Sequence, residues 1–120
     1  MKKIKVKQPG TFRGWLVWQL RRISYKWPPR NEALRCARVE RGKYLCAKCR
    51  KIYGNKQISL DHIEPVVDPK AGWAGFEEYI GRLFCAVEGF QVLCSGCHDR
   101  KTKREKEIRK EYKRRVKEAA

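Results

Sequence analysis

Phe90-Gln91-Val92-Leu93-Cys94-Ser95-Gly96-Cys97-His98 changes character twice in nine residues. The first four positions read as a short strand that ends at Cys94. Cys94-x-x-Cys97 then sets two thiols one tight turn apart. Beyond His98 the chain is polar and strongly basic, with Ile108, Tyr112 and Val116 at i, i+4 and i+8. That spacing predicts a long basic helix with one narrow apolar seam. Glu105 to Arg109 and Glu111 to Arg115 give it i,i+4 support of a few tenths of a kcal/mol each.

Working backwards, a second pair with the same spacing stands at Cys46-Ala47-Lys48-Cys49. Four thiolates suit a tetrahedral zinc ion with Zn–S bonds of about 2.3 Å, and each x-x spacing lets a turn aim two sulfurs at one ion. Cys46, Cys49, Cys94 and Cys97 are therefore read as the ligands of a structural zinc. Residues 50 to 93, longer than the gap in a plain zinc ribbon, must carry structure of their own. Cys36 and Cys85 lack a second pair spacing and are read as small buried hydrophobes. The start Met1-Lys2-Lys3-Ile4-Lys5-Val6-Lys7 lacks the apolar core of a signal peptide, and the apolar run Trp15 to Leu20 is too short to span a membrane. A reducing cytoplasm and no membrane association are expected.

Around the two knuckles the pattern is mixed. Thr11 can cap a helix in which Leu16, Leu20, Ile23 and Trp27 form one apolar stripe, stopped by Pro28-Pro29. Trp15, Trp18 and Tyr25 lie beside that stripe, as core, partner surface or nucleic-acid contacts. Asn31 can cap a second short helix through Ala33, Leu34 and Ala37, closed by Gly42. Ile52-Tyr53-Gly54-Asn55 reads as a turn feeding the strand Gln57-Ile58-Ser59-Leu60, which Pro65 ends. From Trp73, the positions Phe76, Ile80, Leu83 and Phe84 predict an amphipathic scaffold helix despite Gly81. The expected fold class is α+β: a basic tail over 1–10, a helical segment over 11–43, a zinc-stapled core over 44–104 and a basic helical extension over 105–120.

Charge separates the same regions. The formal charge is +17, and residues 1 to 30 hold nine Lys or Arg and no acid. Residues 99 to 120 hold eleven basic and five acidic residues, whereas 31 to 98 hold ten and eight. Two basic flanks around a near-neutral centre are the footprint of a polyanion binder. Arg100, Lys101, Lys103 and Arg104 are the candidate phosphate contacts beside the second knuckle.

The order strand, long connection, strand, helix, with one histidine ending the first strand and another opening the helix, resembles the HNH endonucleases of the ββα-metal type. The matching residues are Asp61-His62-Ile63-x-Pro65 at the front and Phe90-Gln91-Val92-Leu93-Cys94-x-x-Cys97-His98-x-x-Lys101-Thr102 at the back, together covering residues 44 to about 104. The resemblance implies that His62 is the general base for the water attacking a phosphodiester. It also implies that Asp61 and His98 hold one divalent cation, magnesium, manganese or another, against the phosphate. Each residue type suits its role. An imidazole is mostly neutral at physiological pH and can take a proton, and a carboxylate with an imidazole leaves most of a cation's coordination sphere open.

Further expectations from the resemblance are DNA as substrate, with the ββα helix along the minor groove, nicking by a monomer or weak dimer, and a phage or mobile-element origin with a partner protein from that setting. The sequence departs from the family at its middle position, usually asparagine, where Gly89 stands. The bracing that asparagine gives to the loop bearing the base must come from backbone groups, Glu88 or Gln91, or be absent. Neighbours on a regular strand also point to opposite faces, so Asp61 and His62 can serve one phosphate only if the strand ends or bulges there. Glu64 and Asp68 are near enough for auxiliary ligands but are read as loop charges. His98 as a spare zinc ligand remains an alternative. A zinc-knuckle nucleic-acid-binding or accessory protein without catalysis is the rival reading, and a ribosome-associated zinc protein a third.

Overall fold

The computed structural model describes residues 10–119, a mixed α+β fold of four helices and two small sheets among those residues. Helix α1 spans Phe12–Ser24, with Thr11 Oγ1 accepting the Gly14 N–H at 3.0 Å as its N-cap. The four-residue stripe is cut short. Ser24 is buried and its hydroxyl donates to the Arg21 carbonyl at 2.7 Å, ending the helix. Leu16 and Leu20 are half-buried, Ile23 is exposed, and Trp27 lies outside α1. A residue before proline is pushed out of the α region, so Trp27 could not have continued the helix. It docks instead, with Nε1 donating to the Cys85 carbonyl at 2.7 Å and its ring edge-on to Phe84.

Pro28 and Pro29 begin helix α2, Pro28–Ala37, rather than separating two helices, and Asn31 falls inside it. Proline at the first helical position gives up an N–H that would have had no partner there. Gly42 is not a helix cap: at φ 74° it turns strand β1, Arg38–Glu40, into β2, Lys43–Leu45. All of β1 is exposed, which is why no alternating pattern announced it. Strand β3, Ile52–Gly54, completes this antiparallel sheet, with Tyr44 opposite Tyr53.

The second sheet pairs β4, Ile58–His62, with β5, Phe90–Cys94, in antiparallel register from Ile58 opposite Cys94 to His62 opposite Phe90. Helix α3, Phe76–Leu83, lies between them in sequence, and helix α4 runs without interruption from Ser95 to Ala119. Phe90, Val92, Leu93 and Cys94 are all buried because β5 packs against both α2 and α4. Leu93 joins Cys46, Cys94 and Cys97 in one cluster, with Cys49 and Tyr53 against it. Cys36 is exposed and Cys85 half-buried, so the expectation that both are buried fails for Cys36 and is met only in part by Cys85. No described helix is long and apolar enough to cross a membrane.

Candidate metal centre and active site

Both knuckles are shaped by their own backbones. Cys46 follows β2 and donates its N–H to the Lys51 carbonyl at 2.9 Å, while the Arg50 N–H returns to the Cys46 carbonyl at 3.0 Å. Closing that turn puts Arg50 at φ 64°, in the left-handed region. Cys94 ends β5 and Cys97 sits in the first turn of α4. The four sulfurs all lie within 4.8 Å of one another, with Cys49 Sγ and Cys94 Sγ 3.9 Å apart. Sulfurs about 2.3 Å from a tetrahedral ion are about 3.8 Å apart, whereas a disulfide brings them to about 2.05 Å. The tetrad could hold a metal ion, and an all-thiolate set of four fits structural zinc.

Donors surround these sulfurs. The Cys94 N–H reaches Cys46 Sγ at 3.3 Å, the Cys97 N–H reaches Cys94 Sγ at 3.4 Å, and Arg100 Nη2 donates to Cys97 Sγ at 3.2 Å. Burial pushes the Cys46 thiol up, but the N–H groups of Cys49, Cys94 and Lys48 together outweigh it and bring the thiol down to about 6. Cys97 is pushed up to about 11 by burial first and by its sulfur neighbours second.

A second constellation lies at the far end of β4. Asp61 is opposite Gln91, whose Nε2 donates to Asp61 Oδ2 at 3.0 Å. Lys101 Nζ lies 3.0 Å from the same oxygen, 2.7 Å from Glu105 Oε1 and 3.0 Å from the His62 carbonyl. Burial lowers the Lys101 ammonium, but Glu105 and Asp61 outweigh this and hold it above its ordinary value, so it is charged. The other Asp61 oxygen, Oδ1, lies 4.0 Å from His98 Nε2. That is too long for a hydrogen bond and within the span of two ligands each about 2.0–2.2 Å from one ion. A carboxylate and an imidazole suit manganese or zinc, and magnesium with water completing its shell.

No family model, curated protein or solved structure matches this chain.

His62 is placed differently from Asp61. Its ring lies against Phe90, 4.8 Å between centroids, and its Nε2 is 3.0 Å from the Leu83 carbonyl. A carbonyl only accepts, so Nε2 carries the proton and the neutral ring has its lone pair on Nδ1. Asp61 reaches α4 while His62 reaches α3 and Phe90, as consecutive residues of a regular strand must. β4 ends at His62, so the ring stands at the edge of the ladder.

Gly89 lies beside this edge. Its carbonyl accepts the Ile63 N–H at 2.9 Å, tying the exit of β4 to the entry of β5 through backbone alone. Gln91 braces Asp61 by its side chain, and Glu88 is exposed. Glu64 is exposed, and Asp68 Oδ1 accepts the Lys70 N–H at 2.8 Å as a turn residue. Of the candidate phosphate contacts, Lys103 and Arg104 are exposed on α4, whereas Arg100 and Lys101 are engaged with Cys97 and Asp61. Sequence reasoning missed three participants. The Leu83 carbonyl has no side-chain signature. Glu105 read only as helix support, although His98, Lys101 and Glu105 share one face by spacing. Arg30 stacks over Tyr25 at 4.9 Å and over Phe90 at 5.7 Å, placing a cation of α2 on the ring that also packs against His62.

Proposed function

We propose that this protein is an HNH-type endonuclease of the ββα-metal class that hydrolyses DNA phosphodiester bonds. The observation that carries the reading is the approach of Asp61 Oδ1 to within 4.0 Å of His98 Nε2, where β4 meets the first turn of α4. Those two atoms would hold one divalent cation, and the four cysteines a structural zinc that fixes where α4 begins. A divalent ion bound there supplies charge stabilisation to the phosphate and the leaving oxygen. His62, with Nε2 committed to the Leu83 carbonyl, offers Nδ1 as acceptor for the proton of an attacking water. The exposed Lys103 and Arg104 and the basic flanks grip neighbouring phosphates.

One observation favours the rival, a nucleic-acid-binding or accessory protein without catalysis: Asp61 and His62 leave β4 on opposite faces. Supercoiled plasmid incubated with the protein and magnesium or manganese separates the two. The nuclease reading expects metal-dependent nicking that falls by about 10²–10⁴-fold in His62→Ala and is lost in Asp61→Ala, both variants keeping zinc and their melting transition. DNA binding without nicking by the wild type establishes the rival. Equal nicking by the wild type and His62→Ala assigns the cutting to a contaminant and removes the catalytic claim.

A further inference from the structure

We propose that Lys101, clamped by Glu105, is a built-in cation of the site: a positioning residue that occupies Oδ2 of Asp61 and leaves Oδ1 alone to face His98. The inference rests on the reading of Asp61 and His98 as an ion site and concerns how that site is tuned.

The ammonium has three oxygen neighbours here: it donates to Glu105 and to the His62 carbonyl and forms an ion pair with Asp61. Lys101 Nζ meets Asp61 Oδ2 at 3.0 Å, Glu105 Oε1 at 2.7 Å and the His62 carbonyl at 3.0 Å. An ammonium held on three sides does not swing out to a phosphate. It sits in the half-buried angle between β4 and α4, where a charge acts through less water than at the surface. Asp61 Oδ2 accepts from the Gln91 amide and faces this ammonium at 3.0 Å, so it is the occupied oxygen of the carboxylate. Oδ1 is the oxygen that remains for an ion shared with His98.

Two consequences follow from charge. A carboxylate reduced to one free oxygen beside a fixed cation binds a divalent ion weakly and through a single atom, leaving coordination positions for water and phosphate. The local charge also changes sign. Asp61, Glu105 and Lys101 together carry one negative charge, and a divalent ion makes the assembly singly positive, matched to a phosphodiester. Without Lys101 the loaded site is neutral and its pull on the phosphate is lost. Removing Lys101 has two opposed effects on the ion: Asp61 loses one of its two orienting donors, and the ion loses a repelling neighbour. Gln91 still holds Oδ2, and the ion's double charge lets the relief of repulsion outweigh the lost donor, so affinity should rise.

The test uses the zinc-loaded full chain titrated with Mn²⁺ by calorimetry, alongside plasmid nicking. The wild type should bind one Mn²⁺ beyond its zinc, and Asp61→Asn should not. Lys101→Met should bind Mn²⁺ about tenfold more tightly while its saturated nicking rate falls about tenfold. Lys101→Arg, which keeps the charge, should bind Mn²⁺ less tightly than Lys101→Met, and Glu105→Gln should weaken the ion. A merely structural lysine would lower affinity and rate together. If Lys101→Met keeps its zinc and melting point but binds Mn²⁺ no more tightly than the wild type, the proposal is overturned, and nicking by the wild type would leave the nuclease reading standing. Tighter binding in Lys101→Met without nicking by any protein keeps the role of Lys101 and removes the nuclease. A wild type that takes up no second ion overturns both.

Discussion

A methyl group on Gly89 would meet Cys85 Sγ at 2.6 Å and Cys85 Cβ at 3.0 Å, closer than non-bonded atoms approach. The side chain that an asparagine would supply here is excluded by the half-buried Cys85, while the Gly89 carbonyl ties down Ile63. Gly89→Ala should therefore destabilise the fold by about 1–3 kcal/mol through overpacking. Cys85→Ala in the same chain should return part of that loss, because it removes the nearer of the two atoms. Thermal melts of both single variants and the double variant check this; strictly additive effects would deny the contact. At this scale the sequence was legible where chemistry repeats at fixed spacing: the two Cys-x-x-Cys pairs announced a sulfur cluster, and Asp61-His62 with His98 announced a candidate site. It was silent where backbone acts. Neither the Leu83 carbonyl that fixes the His62 tautomer nor the Gly89 carbonyl that accepts from Ile63 leaves a mark in residue type. Cys85 read as a filler, and its size mattered through Gly89.

Among the elements, those with an amphipathic period or a side-chain cap were readable, as α1 with Thr11, α3 from its apolar positions and α4 from its seam. β1 was not, having no buried face, and the start of α2 was hidden because two prolines can open a helix as well as close one. The knuckles join these elements: β2 to β3 through Cys46 and Cys49, and β5 to α4 through Cys94 and Cys97. Binding of a structural zinc contributes roughly 10–16 kcal/mol to folding, comparable to the whole stability of a small domain. Chelation should accordingly abolish the cooperative melt, and Cys46→Ser should do the same, while Asp61→Ala leaves it in place. pH acts on the same junction. The Cys46 thiol ionises at about 6 in the fold and near 8.5 when unfolded, so its contribution is fully present above the unfolded value and is lost as pH falls through about 6. Protons compete with the ion in the same sense. Zinc release followed with a colorimetric chelator should increase as pH falls, because protons compete with the ion for the four thiolates. Release unaffected by acid would exclude thiolate ligation.

The molecule is longer than its core requires. A radius of gyration of 16.6 Å exceeds the roughly 13–14 Å of a compact chain of this length, and α4, at 25 residues, accounts for about 37 Å of helix. Tyr112 is its last anchor, the ring lying 3.1–3.4 Å from where a β-carbon on Gly72 would stand. Beyond it, residues 113–119 are all exposed, and their ion pairs to Glu111 and Glu118 are surface pairs worth at most about 1 kcal/mol each. The segment carries Lys113, Arg114, Arg115 and Lys117 against the single acid Glu118. That charge contributes little to folding. Ending the chain after Tyr112 should leave zinc content unchanged and stability within about 1 kcal/mol. It should weaken binding to duplex DNA and lower the log–log salt slope by about 0.9 for each phosphate contact removed, four at most. Fluorescence anisotropy across a salt series measures that slope. A truncated protein with the wild-type slope would place the nucleic acid elsewhere, along Lys103 and Arg104 and the basic N-terminal flank.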